Sequence, residues 1–86
     1  MAVRYVVEDT LEMPGRGPAV LGLLLDGVIT TGDTLLVQET GASVRISFVD
    51  FHTRETDRGL LVGLQVDPAD APLVTAGSTL VSPPGA

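Results

Sequence analysis

The chain has 86 residues, 44% of them hydrophobic, which is enough for one small domain with a single core. It has no cysteine, which excludes disulfides, thiolate metal sites and cysteine nucleophiles, and its one histidine, His52, provides no histidine pair for a metal. The net charge is −6, and the five basic residues, Arg4, Arg16, Arg45, Arg54 and Arg58, are spread among 11 acidic ones. That balance disfavours generic binding to phosphates, and three aromatic residues, Tyr5, Phe48 and Phe51, are too few for a base-stacking platform.

From Val3 to Met13 the odd positions Val3, Tyr5, Val7, Leu11 and Met13 are apolar, and the even ones include Arg4, Glu8, Thr10 and Glu12. Period two, with exceptions at Val6 and Asp9, predicts a half-buried strand with its carboxylates in solvent. Met13-Pro14-Gly15-Arg16-Gly17-Pro18 follows, in which two prolines and two glycines bracket one arginine, so a tight, rigid loop is expected. Ala19 to Leu25 is too short for a stable helix and reads as a strand covered on both faces. Asp26-Gly27 is a hairpin-turn dipeptide, and with the next turn signal at Thr30-Thr31-Gly32-Asp33 it predicts successive antiparallel pairing.

Leu35 to Glu39 forms a third strand ended by Gly41. Val44, Ile46 and Phe48, alternating with Arg45, Ser47 and Val49, form a fourth that ends near Phe51. His52 to Gly59 is polar and of mixed charge and reads as an exposed hairpin loop, in which His52 is an ordinary loop residue. Leu60 to Val66 is a fifth strand, and Gly63 within it marks a bulge or a close backbone approach. Asp67 to Pro72 allows one helical turn at most. Ala76-Gly77 turns the chain into a last strand from Ser78 to Ser82, before a Pro-Pro-Gly stop.

Six short strands with no long helix predict an all-β fold. For a domain spanning residues 1–86, a closed six-stranded antiparallel barrel is expected over a sandwich, because closure removes exposed edges. No apolar run approaches the length needed to cross a bilayer as a helix and no leader pattern is present, so a cytoplasmic chain without a membrane partner is the expectation.

Several of these residues together carry a resemblance. Val7-Glu8-Asp9-Thr10, Met13-Pro14-Gly15-Arg16-Gly17, Gly22, Gly27-Val28-Ile29, Gly32-Asp33, Gly59, Val62-Gly63 and Gly77-Ser78-Thr79-Leu80 with Pro84-Gly85 fall in the order of a translation-factor motif set. The chain resembles, over nearly its whole length, the second domain of elongation factor Tu and of related translation GTPases. The resemblance implies a six-stranded antiparallel barrel of the translation-factor domain 2 type that packs against a nucleotide-binding domain, helps hold the aminoacylated end of tRNA, and carries no catalytic residue. It also implies that Arg16 takes the place of the loop arginine, Gly22 that of the second-strand glycine, and that Gly59, Val62 and Gly63 line the ligand-facing surface.

The chain departs from that pattern where Leu23-Leu24-Leu25-Asp26 replaces a polar stretch and where Leu60-Leu61 replaces an acidic residue and asparagine. Lost donors and acceptors weaken recognition of a polar ligand, and added leucines suit a contact with protein. In a strand, Leu23 and Leu25 share one face and Leu24 takes the other. The chain has no phosphate-binding Gly-x-x-x-x-Gly-Lys loop and no lysine at all. A non-catalytic binding module is therefore expected, with Arg16, Gly17, Gly22, Leu24, Gly59, Leu61 and Gly63 as its binding residues, no cofactor and no metal. A protein partner or a second copy is the expected ligand, and a reduced tRNA or aminoacyl-end binder is the alternative.

Overall fold

The computed structural model describes residues 2–49 and 54–83. The expected Phe51 end of the fourth strand, His52, and Pro84-Gly85 lie outside those residues. Seven strands are present: β1 (Arg4–Met13), β2 (Gly17–Asp26), β3 (Thr34–Val37), β4 (Ser43–Val49), β5 (Arg54–Thr56), β6 (Gly59–Val66) and β7 (Thr79–Val81). One 3₁₀ turn, Ala71–Leu73, is the only helical element among the described residues. None of it is long or apolar enough to cross a membrane as a helix.

All pairings are antiparallel, and six strands close a ring in which β1 joins β2, β2 joins β6, and β6 joins β4, β3, β7 and β1 in turn. The chain is thus the all-β, closed, six-stranded barrel that its patterning predicts. The core follows from period two: Tyr5 and Val7 of β1, Val44 and Ile46 of β4, and Val62, Leu64 and Val66 of β6 all point inward and are buried. Leu35 and Val37 of β3 and Leu80 of β7 complete it, with Val74 just after the 3₁₀ turn packed among them.

Four expectations need correction. Strand pairing is not successive throughout, because β2 pairs with β1 and β6 and not with β3. Asp26-Gly27 therefore opens a connection rather than a hairpin. Gly27 has φ +78, and a Cβ there would lie 2.6 Å from the Ala2 carbonyl oxygen.

The segment read as a loop up to Gly59 contains β5, which pairs Arg54 with Leu61 and Thr56 with Gly59. β4 and β5 lie one after the other on the same side of β6, since β4 meets Leu64 to Val66 and β5 meets Gly59 to Leu61. Gly63, read as a bulge or a close backbone approach, is not a bulge, because the β2–β6 register runs unbroken past its pairing with Leu21.

The fourth correction concerns β1. Val7 pairs with Gly22 and Asp9 with Leu21, so Glu8 is an extra residue in the ladder, a β-bulge. A single extra residue exchanges the faces of everything after it, because side chains alternate with period two. Leu11 and Met13, expected on the core side with Tyr5 and Val7, lie instead on the outer side of the barrel.

Candidate functional site

The Met13–Gly17 connection is the tight loop its composition predicts. Pro14 and Gly15 (φ +75) are its central residues, and the Arg16 amide donates to the Met13 carbonyl at 3.0 Å, the arrangement of a type II turn. Gly17 also has positive φ, at +91, and pairs with Met13 where the two strands begin. Arg16 is exposed at this end of the barrel and borders a shallow hollow with Gly15, Phe48 and Gln65.

Cross-strand partners share a face, so the register identifies what the barrel shows outward along β1, β2 and β6. Val6, Leu23 and Leu61 form one row, Asp9, Leu21 and Gly63 the next, and Leu11, Ala19 and Gln65 a third. Of these nine positions only Asp9 and Gln65 are polar, so the outside of three adjacent strands is largely apolar. Leu11 is 45% exposed, Val6, Leu21 and Leu61 are half-buried, and Gly63 leaves a flat place between them.

Leu23 and Ala19 are outward-facing yet only 6% and 5% exposed; Leu23 is the larger of the two. It borders a depression with Glu8, Thr56, Asp57, Arg58 and Leu61. Arg58, in the β5–β6 turn, reaches across β2 and gives both oxygens of Glu8 a hydrogen bond, at 3.0 and 3.1 Å. The ion pair thus roofs one end of the apolar face. The turn itself is held by the Thr56 hydroxyl, which donates to the Gly59 carbonyl at 2.6 Å.

The predicted binding residues divide into two groups. Leu61 and Gly63 lie on the outer face, and Arg16 and Gly17 stand at its end. Gly22 and Leu24 do not belong to it. Gly22 is buried, and a Cβ there would meet the Val6 carbonyl oxygen and come within 2.9 Å of the Tyr5 ring, so the residue is glycine because the ring occupies its side-chain space. Leu24 pairs with Tyr5 and Leu60 on the inward side and packs against the core. Val62 is likewise inside, at 3% exposure.

Gly59 has φ +140, and its Cβ position lies 3.0 Å from a Leu25 methyl, so it serves the β5–β6 turn. Leu25 is 42% exposed beside an irregularity in the β1–β2 pairing. The residues that sequence reasoning missed are Leu11, Leu21 and Val6. Leu11 was hidden by the bulge, and Leu21 and Val6 by the assignment of neighbouring positions to the core.

No protein-family model matches the chain, and no curated protein matches it. The site therefore has to be read from its own geometry. Beneath the face, the Tyr5 hydroxyl donates to the Val62 carbonyl at 2.6 Å, and the phenol is held far above its usual pKa by burial first and by the nearby Glu8 carboxylate second. A phenol in that position is a neutral structural donor at any ordinary pH. The outer face offers apolar contact, a flat glycine and a single ion pair, which suits it to adhesion.

Proposed function

We propose that the protein is a non-catalytic binding module that docks a protein partner through the outer face of β1, β2 and β6. One observation carries this reading: the Glu8 bulge turns Leu11 outward, where it lies in one sheet surface with Leu21, Leu23, Leu61 and Val6. A monomeric barrel gains little from an exposed Leu11 flanked by half-buried Leu21 and Leu61 on the neighbouring strands, whereas apolar patches commonly mark contact surfaces. The resemblance to the second domain of elongation factor Tu points to the partner class, a translation-type GTPase, and to a barrel of the translation-factor domain 2 kind.

Charge argues against the tRNA-binding alternative. Arg58 is tied to Glu8, and Arg16 stands at the far end of the same face. Among the described residues that leaves Arg54, across from Leu61, and Arg16 as the cations on this side, too few to track a phosphate backbone.

The experiment is affinity capture from cell extract with the wild-type chain and with Leu21→Asp and Leu61→Asp, compared with a Thr40→Asp control on the β3–β4 turn. A protein retained by wild type and control and lost with both outer-face variants supports the reading, as does dimerisation that fails in the same two variants. Equal capture by all four chains, or a strict monomer that retains nothing, overturns it.

A further inference from the structure

The face described above is one property of the β1–β2 hairpin, and its open edge is another. β7 pairs with β1 only at Arg4, Tyr5 and Val6, and the backbone of Val7 is bonded to Gly77 and Ser78. Beyond the Glu8 bulge, Asp9 to Met13 pair with β2 alone among the described residues. The direction of their backbone groups follows from two bonds. The Met13 carbonyl faces the β2 side, where it accepts the Arg16 amide at 3.0 Å. The Thr10 amide turns the other way and donates to the Asp9 carboxylate at 2.9 Å. Alternation along an antiparallel strand then sets the carbonyl of Thr10 and both backbone groups of Glu12 along the open edge.

A row of such groups is a template for one more strand, and a sheet edge is commonly blunted with lysine or proline. β1 contains neither, and with Glu8 paired to Arg58, Asp9 and Glu12 leave the stretch beyond the bulge with negative charge alone. A second copy presenting the same edge would set carboxylates against carboxylates, so self-pairing is opposed, whereas a cationic strand meets opposite charge. Beside the edge, a hollow runs between residues 10–12 with Pro18 on one side and Ala71, Pro72 and Val74 on the other. That hollow gives an added strand an apolar wall beside the edge, to which Leu11 contributes.

We infer that Asp9 to Met13 is a docking edge for an extended basic segment of a protein partner, which joins the barrel as an added strand beside β1. Backbone bonds to Thr10 and Glu12 supply the register, and cationic side chains on the outer side of the segment pair with Asp9, Glu12 lying on the opposite side of the sheet. The contact uses backbone at an edge rather than side chains on the outer face, so the two can be tested apart.

The test is amide hydrogen exchange on the isotope-labelled chain with a short synthetic peptide that alternates valine and lysine. With peptide at about ten times its dissociation constant, exchange at Thr10 and Glu12 slows about tenfold, while Leu11 and Met13, already facing β2, keep their rates. The same peptide with glutamate in place of lysine leaves all four rates unchanged, and Glu12→Pro, which removes the outward N–H, abolishes the effect on Thr10. Leu61→Asp leaves peptide binding intact, which separates this contact from the outer face. Absence of binding at millimolar peptide, binding that leaves Thr10 and Glu12 unaffected, equal binding of the glutamate peptide, or protection of these amides by self-association overturns the inference.

Discussion

The Tyr5 hydroxyl donates to the Val62 carbonyl at 2.6 Å, tying β1 to β6 inside the barrel although β2 lies between them. The bond crosses beneath Gly22, whose missing side chain leaves room for the ring. Replacing Tyr5 with phenylalanine removes the donor and keeps the ring, at an expected cost of about 0.5–1.5 kcal/mol. A urea midpoint that falls with an unchanged slope is the measurement.

The same phenol gives the chain an alkaline limit. In the folded protein Tyr5 stays neutral far above its ordinary pKa of 10.0, because burial, and then the Glu8 charge, oppose the phenolate. The folded pKa is raised, so the stabilisation is complete below about pH 10 and is lost as pH rises beyond it, at about 1.4 kcal/mol per pH unit. Tyr5 is the only tyrosine and the chain has no lysine or cysteine, so no other side chain titrates between pH 9 and 11. Stability measured across pH 8 to 11 should fall in the wild type and stay flat in Tyr5→Phe.

Gly22→Ala should damage the fold rather than any contact. Its methyl would enter the space of the Val6 carbonyl and the Tyr5 ring, and overpacking of a closed core costs about 1–3 kcal/mol or more. Gly15→Ala is the contrasting case. Nothing lies within 4 Å of its Cβ position, so only the φ of +75 is strained, and a loss of about 1 kcal/mol is expected. Thermal unfolding of the two variants side by side distinguishes steric from backbone cost.

Neighbouring leucines of β6 should behave differently. Leu64 is 1% exposed inside the barrel, and truncation to alanine should cost about 2–5 kcal/mol. Leu61 faces outward at the edge of the Leu23 depression, and the same change there should cost clearly less, while weakening any partner that docks on this face. Denaturation of both variants, run with the capture experiment, reads the two effects separately.

The ion pair above Leu23 should contribute little to stability. Arg58 is 69% exposed and Glu8 38%, and solvent screens such a pair to about 0.2–1 kcal/mol. A double-mutant cycle with Glu8→Gln and Arg58→Gln should return a coupling in that range that shrinks with added salt.

The barrel was legible in the sequence because Tyr5 and Val7, Val44 and Ile46, and Leu60 to Val66 alternate in ways a helix would not, and Pro14-Gly15 can hardly do other than turn. Pairing partners were less legible. Nothing local distinguishes a β2 that meets β6 from one that meets β3, since that choice is made by closure of the whole sheet. β5 was missed because Arg54, Glu55 and Thr56 are all exposed and show no apolar alternation. The position of the outer face was hidden for a subtler reason. Glu8 and Asp9 are both polar, so an extra residue at Glu8 leaves no gap in the pattern, and Leu11 and Met13 keep odd numbers while changing sides.

A one-residue deletion at Glu8 would restore straight counting along the strand. The pairings of Val7 with Gly22 and of Asp9 with Leu21 would then follow one another without a gap, and Leu11 and Met13 would stay on the outer side. The side that the far half of β1 turns to solvent is thus decided by its alignment with β2, and the extra residue alters only how the numbering counts toward it.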